Sequence, residues 1–151
     1  SFKKNLKQMK QTTLKRIELE CFTNRIGLEM GLAIATLAKE RNQHIAVSVE
    51  RLNHSIFLFV DDELPADKHL WLSRKANLVK HFEESSLSVK HDLINNNMTL
   101  SETFALDEKV YLAKGGSIPV FVKHAGMIAI VTVSGLHDEE DHNLIVDALE
   151  I

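Results

Sequence analysis

The sequence predicts an α/β fold of the α+β kind: one central antiparallel sheet of about five strands or fewer, with helices on both of its sides. Two observations carry this. Strand-forming runs at 45–49 and 56–60, and again at 118–123 and 127–133, lie close enough along the chain to pair as hairpins. Segments with apolar residues at helical spacing precede, separate and follow those hairpins. Hairpins with helices between and around them bury their apolar faces most simply as stacked layers. With 151 residues the chain reads as a single domain, 1–151, able to bury about 70% of its unfolded surface.

The first 21 residues read as a basic helical arm. Lys3, Lys4, Lys7, Lys10, Lys15 and Arg16 appear with no acid among the first sixteen residues, and Leu6, Met9, Leu14 and Ile17 form an apolar side. From Thr23 to Arg41 the residues Ile26, Met30, Ala33, Ile34 and Leu37 recur at helical spacing. Gly27 and Gly31 sit one turn apart in that helix. Each costs about 1 kcal/mol relative to alanine, so another element is expected to pack closely there. Ile45–Val49 and Ile56–Val60 follow as a hairpin joined by the polar link Arg51-Leu52-Asn53-His54-Ser55.

Asp61 to Pro65 breaks the pattern, and a second helix runs from Ala66 or Asp67 to Glu84 with Trp71, Leu78, Val79 and Phe82 on its apolar face. A further helix covers Leu87 to Ile94, and Asn95-Asn96-Asn97 makes a loop. Asp107 is placed to cap a short helix over 108–114. After the second hairpin, Ser134 can cap the last helix, or Gly135 and Leu136 displace its start to Asp138. Glu139, Glu140 and Asp141 then lie in the first turn, where the helix dipole favours negative charge, and Leu144, Ile145, Ala148 and Leu149 face the core.

Net charge is −3, which leaves no electrostatic footprint for nucleic acid. No apolar run approaches the ~20 residues of a membrane span, and the N-terminal residues are too polar for a signal peptide. Cys21 is the single cysteine. It reads as a buried, inert thiol in a reducing compartment, so a cytoplasmic location is expected.

Lys114-Gly115-Gly116-Ser117 is the most informative run. Backbone N–H groups, the Ser117 hydroxyl and the ammonium could cradle a small anion. The other reading is a glycine helix cap feeding an edge strand. The spacing is not that of a P-loop. Arg74-Lys75 could take a carboxylate, with arginine supplying a bidentate fork; it could equally pair with Asp67, Glu83 or another chain, or anchor an oligomer contact beside Trp71. His137-Asp138-x-x-Asp141-His142 has metal-ligating residue types without the HExxH spacing, and a helix start dressed with acids explains most of it.

Several of these residues also carry a family resemblance. Trp71-Leu72-Ser73-Arg74-Lys75-Ala76, with Val79, Phe82, Ser85 and Ser86, resembles a pattern in an uncharacterised branch of the haem-degrading-domain family. Tyr111 to Gly116, Pro119, Val131 to Leu136 and Glu140-Asp141-His142 follow in the same order as in that branch. The branch usually carries Asp-Tyr-x-x-His-Gly-Gly, where this chain has Val110, Tyr111 and then Lys114 before the glycines. The family includes proteins labelled haem-binding and glycolate-operon proteins.

The resemblance implies a profilin-like three-layer α/β/α domain that assembles as a homo-oligomer, a dimer or a larger ring. Haem is then the leading named ligand and would need an axial histidine. Of the eight histidines, His81 and His142 rank first. The ligand set would be Arg74, Lys75, Lys114, Gly115, Gly116 and Ser117, with the start of the last helix, at a subunit boundary. Three functions follow: a non-catalytic module for a small anionic ligand, a haem- or tetrapyrrole-degrading enzyme, and an assembly or adaptor protein that binds another protein. The first leads, because no catalytic set can be assembled from the sequence.

Overall fold

The computed structural model describes residues 13–151. The chain enters as strand β1 (Ile17–Leu19), followed by helix α1 (Asn24–Glu40) and strands β2 (Ala46–Arg51) and β3 (Ser55–Val60). A 3₁₀ turn at Lys68–Leu70 leads into α2 (Trp71–Phe82), α3 (Ser86–Asn95) and the short α4 (Leu100–Phe104). Strands β4 (Ser117–Val122) and β5 (Gly126–Ser134) and helix α5 (Asp138–Leu149) complete it.

The five strands form one sheet in the order β1-β4-β5-β2-β3. The hairpins β2–β3 and β4–β5 pair antiparallel, and β5 joins them by pairing antiparallel with β2. On one face α1 and α5 cover Val47, Val49, Ile118, Val120, Val131 and Val133 with Ile34, Leu144 and Ile145. On the other, α2 sets Ala76 and Val79 on Ile130, and Leu72 on Ala46. The alternation of buried residues along β5 to opposite faces is what a strand covered on both sides requires.

Local signals explain most elements. The Thr23 side chain accepts the Ile26 N–H at 3.1 Å and caps α1. The close neighbour expected at Gly27 and Gly31 is β3: a Cβ on Gly27 would lie 2.9 Å from an Ile56 methyl, and one on Gly31 would fall inside the Phe57 ring. Thr99 caps α4 by accepting the Glu102 N–H at 3.0 Å; the Thr-x-x-Glu spacing of a capping box announces this helix, which periodicity alone does not.

Four expectations are corrected. Residues 17–19 are a strand parallel to β4, not the end of a helix, so the sheet is antiparallel in its other four strands only. Ile17, 3% exposed and in register with Val120, gains its burial from that pairing, which outweighs local preference. Leu14, also expected on this helix, lies in irregular chain before β1; Leu6 and Met9 lie outside the described residues, as do Lys3, Lys4, Lys7 and Lys10.

The helix expected over 108–114 is absent. The Asp107 carboxylate accepts the Lys109 N–H in a tight turn, and α2 holds the following stretch extended through Leu112 N–H to the Arg74 carbonyl and Asn77 to the Val110 carbonyl. Trp71 is only partly buried, because the stripe that faces the sheet is Leu72, Lys75, Ala76 and Val79. Cys21 is exposed rather than buried, since it lies in the link between β1 and α1.

Candidate functional site

The site forms where α2, the start of β4, the end of β5 and the start of α5 meet. Lys75, one turn into α2, reaches across the sheet's end. Its Nζ donates to the Val133 carbonyl at 2.8 Å and to Asp141 Oδ2 at 2.9 Å. The other carboxylate oxygen of Asp141 accepts the Leu136 N–H at 3.0 Å, which fixes the entry into α5. Both side chains are almost fully buried. Burial pushes the Asp141 carboxyl up to about 6, against the pull of the Lys75 ammonium, and burial likewise lowers the Lys75 pKa.

The glycine pair makes this approach possible. A Cβ on Gly115 would overlap the Asp138 carbonyl oxygen. Gly116 has φ +120°, and a Cβ there would lie 2.5 Å from the Val133 carbonyl oxygen and 2.9 Å from Lys75 Nζ. Ser117 is wholly buried; its N–H donates to Ser86 Oγ at 3.0 Å and its hydroxyl pairs with Thr132 Oγ1 at 2.9 Å. The Gly115–Ser117 run is thus packed against α5, α3 and β5.

Beside this buried post lies a cleft of about 320 Å³ lined by Lys68, Trp71, Lys75, Lys90, Ala113, Lys114, Leu136, His137, Asp138 and Asp141. Lys90 is paired with Asp138. Burial opposes ionisation of Asp138, but that ammonium and the Glu139 N–H hold its carboxyl below the usual range. Lys68 and Lys114 are different. Their ammonium groups lie 4.1 and 4.9 Å from the centre of the Trp71 ring, and among the described residues neither has a carboxylate within 4 Å. The wall therefore carries four lysines against two aspartates, with two of the lysines uncommitted.

The structure brings Lys75, Lys114, Gly115 and Gly116 together and separates Arg74 from them. Arg74 lines a second cleft, which Trp71 also borders, with Asp107 and Lys109, and its guanidinium donates to the Glu108 carbonyl at 2.5 Å. His81 is exposed on α2, its ring edge-on to Phe82 and Tyr111. His142 is buried on α5 with Nδ1 unpartnered, and burial first, then neighbouring His91, lowers its pKa to about 4. Neither histidine lines the cleft.

The imidazole that does is His137, exposed at the cap position of α5, and Lys68 is the second cation that sequence reading missed. Helical spacing from Trp71 reaches Lys75, whereas Lys68 and His137 enter the cleft from turns. Among the described residues no group of three or more His, Cys, Asp or Glu side chains could hold a metal ion. In the His137-Asp138-x-x-Asp141-His142 run, Lys90 and Lys75 occupy the two carboxylates and His142 is buried in the fold. The cleft is equipped to bind an anion by charge and to offer it one flat aromatic wall.

A mixed five-stranded sheet between two helical layers, with a lysine-rich cleft at the end of its central strands, defines a profilin-like α/β/α domain. The chain belongs to the family described as haem degrading protein HbpS-like, which matches residues 22–150. A UPF0303 protein of Zymomonas mobilis is 34% identical over 137 residues, covering 91% of this chain and 74% of that protein. Among solved structures, the Ybr137w protein superposes with a TM-score of 0.81 at 26% identity over 97% of this chain and 92% of that one. A PduOC:heme complex shares the fold, with a TM-score of 0.70 at 13% identity over 86% of this chain and 94% of that one. No helix among the described residues is long and apolar enough to cross a membrane.

Proposed function

We propose that this protein is a cytoplasmic, homo-oligomeric ligand-binding member of its family that takes a small anionic ligand in the cleft beside Gly115-Gly116. The observation that carries the reading is the pair Lys68 and Lys114, two ammonium groups set against the Trp71 ring without carboxylate partners among the described residues. Charge-assisted bonds to a carboxylate are worth about 1.5–3 kcal/mol each, more than a neutral pair supplies. The unpaired Cys21 suits a reducing compartment. Lys75 supports the site from below, since its ammonium is already held by Asp141 and the Val133 carbonyl.

Haem is the leading named candidate, supported by the family description and by the haem complex of a fold relative. The donor set fits the polar edge of that group: Lys68 and Lys114 for its propionates and the exposed His137 imidazole for its iron. At about 320 Å³ the cleft stands at the small end of ligand pockets, so it would take the anionic edge of the group, with His137 exposed at its rim for the iron. Bound haem would supply its own iron and redox chemistry, and the chain would supply charge and orientation.

The test is a haemin titration followed by the Soret band, with Lys68→Ala/Lys114→Ala and His137→Ala beside the unaltered protein. Saturable binding is expected, weakened about 100-fold or more in the double lysine variant and altered in band position by His137→Ala. Loss of ring absorbance on adding a reductant would move the reading from binding protein to degrading enzyme. Absence of saturable binding by haemin and by small carboxylates alike would overturn the anion site.

A further inference from the structure

We infer that the free edge of the sheet, strand β3, is a two-fold interface at which two copies of this chain pair antiparallel about Leu58. This surface would build the homo-oligomer of the reading above. It lies apart from the lysine cleft, so its failure would leave the anion site standing.

β3 is the last strand in the sheet order, and β2 is its one neighbour among the described residues. The Asp61 N–H donates to the Ile45 carbonyl at 3.0 Å. Antiparallel ladders alternate, so Phe59 and Phe57, in register with Val47 and Val49, turn their backbone groups toward β2. Leu58 and Val60 turn theirs outward. An outward row of N–H and C=O groups is a template for another strand, and monomers blunt such edges with lysine or proline. The run Ser55-Ile56-Phe57-Leu58-Phe59-Val60 contains neither, and no charge at all; its one irregularity, a bulge at Ile56, leaves Phe57 to Val60 in regular register.

Apolar surface accompanies the open backbone. Leu58, Phe59 and Val60 are 63%, 43% and 37% exposed. Leu32 of α1 joins Phe59 in a groove on one face of the sheet, and Leu70 joins Leu58 and Val60 in a groove on the other. These five are half of the ten large apolar side chains exposed among the described residues. Contiguous apolar surface of this kind marks an interaction site.

Charge selects the occupant. The strand is followed by Asp61-Asp62-Glu63. Antiparallel pairing about Leu58 sets Phe57 opposite Phe59 of the second copy and carries the two acidic runs to opposite ends of the contact. A parallel arrangement would set the three acids against their own copies. The edge is therefore self-complementary in one direction, as an isologous two-fold contact demands, and Leu58, turned outward at its middle, is the residue through which the axis can pass.

The test is the solution mass of the full chain by light scattering. An even multiple of the 17.1 kDa chain is expected, and Leu58→Lys/Val60→Lys is expected to halve it. Ile94→Lys, at an equally exposed position on α3, is expected to leave it unchanged. Circular dichroism checks that the exposed substitutions preserve the fold. In a Cys21→Ser background, Leu58→Cys is expected to form a disulfide to its own copy, because opposed Cα atoms in a hydrogen-bonded antiparallel pair stand about 5.5 Å apart, within disulfide reach. A monomeric unaltered protein, or a mass that Leu58→Lys/Val60→Lys does not change, would overturn the interface. A dimer that Leu58→Cys fails to cross-link would overturn the pairing about Leu58.

Discussion

Lys75 and Asp141, 66 residues apart in the chain, form an ion pair of 2.9 Å whose side chains are 1% and 2% exposed. The pair ties the middle of α2 to the first turn of α5 across the end of the sheet, under the floor of the lysine cleft. It forms only because Gly116 leaves room for it: a Cβ there would lie 2.8 Å from Asp141 Cβ and 2.9 Å from Lys75 Nζ.

Removing either partner strands a charge. Lys75→Ala and Asp141→Ala are each expected to destabilise the protein by about 3–5 kcal/mol, whereas Lys75→Met with Asp141→Leu recovers much of the loss. Urea unfolding of the three variants measures this. Two single variants that unfold like the unaltered protein would show that the pair is not part of the framework.

His142 makes the protein sensitive to acid. Its imidazole is held neutral in the fold with a pKa of about 4 against the ordinary 6.5. The unfolded chain therefore binds the extra proton first, and stability contributed by this group is complete above pH 6.5 and declines as pH falls toward 4. The full effect is about 3 kcal/mol. Asp141, raised to about 6, acts in the opposite sense between pH 6 and 3.8, adding stability on acidification. His142→Leu removes the destabilising part and leaves the Asp141 part. Between pH 7 and 5 the variant is therefore expected to gain stability relative to the unaltered protein. Equal pH slopes for the two proteins in chemical denaturation would contradict the assignment.

Three glycines with positive φ separate strain from space. Gly126 has φ +83°, and a Cβ there would have nothing within 4 Å, so Gly126→Ala is expected to cost only the left-handed backbone, about 1–2 kcal/mol. Gly116→Ala meets the same backbone cost and a collision with the Val133 carbonyl and Lys75 Nζ. Its melting temperature is expected to fall well below that of Gly126→Ala, and Gly135→Ala, crowded by the His44 carbonyl and Leu64, is expected to behave like Gly116→Ala.

Cys21 is exposed between β1 and α1. Native protein is expected to react with a thiol reagent at close to the rate of the unfolded chain. Protection that disappears only on unfolding would place the thiol inside after all.

Helix α1, both hairpins and the start of α5 at Asp138 were legible in the sequence, because the signals that specify them are local. Thr23 caps its own helix, the polar link before Ser55 closes one hairpin, and Gly135-Leu136 delays the last helix. The family membership carried by Trp71 to Ser86 and Tyr111 to Gly116 was legible as well, through residues that meet around one cleft. Even the close neighbour of Gly31 was implied, though not that it would be Phe57.

Other features came from contacts distant in the chain. Ile17 became a strand because Val120 stood beside it, and Tyr111 to Lys114 stayed extended because α2 claimed the hydrogen bonds of a helix. Adjacent Arg74 and Lys75 parted into different clefts, and Lys68 and His137 arrived in the lysine cleft from separate turns. Local pattern was enough to mark most helices and strands and to show which residue types were available to bind an anion. Which of those charges remain free depended on long-range pairing, because a buried ammonium takes the nearest carboxylate that the fold brings to it, and Asp141 reached Lys75 first.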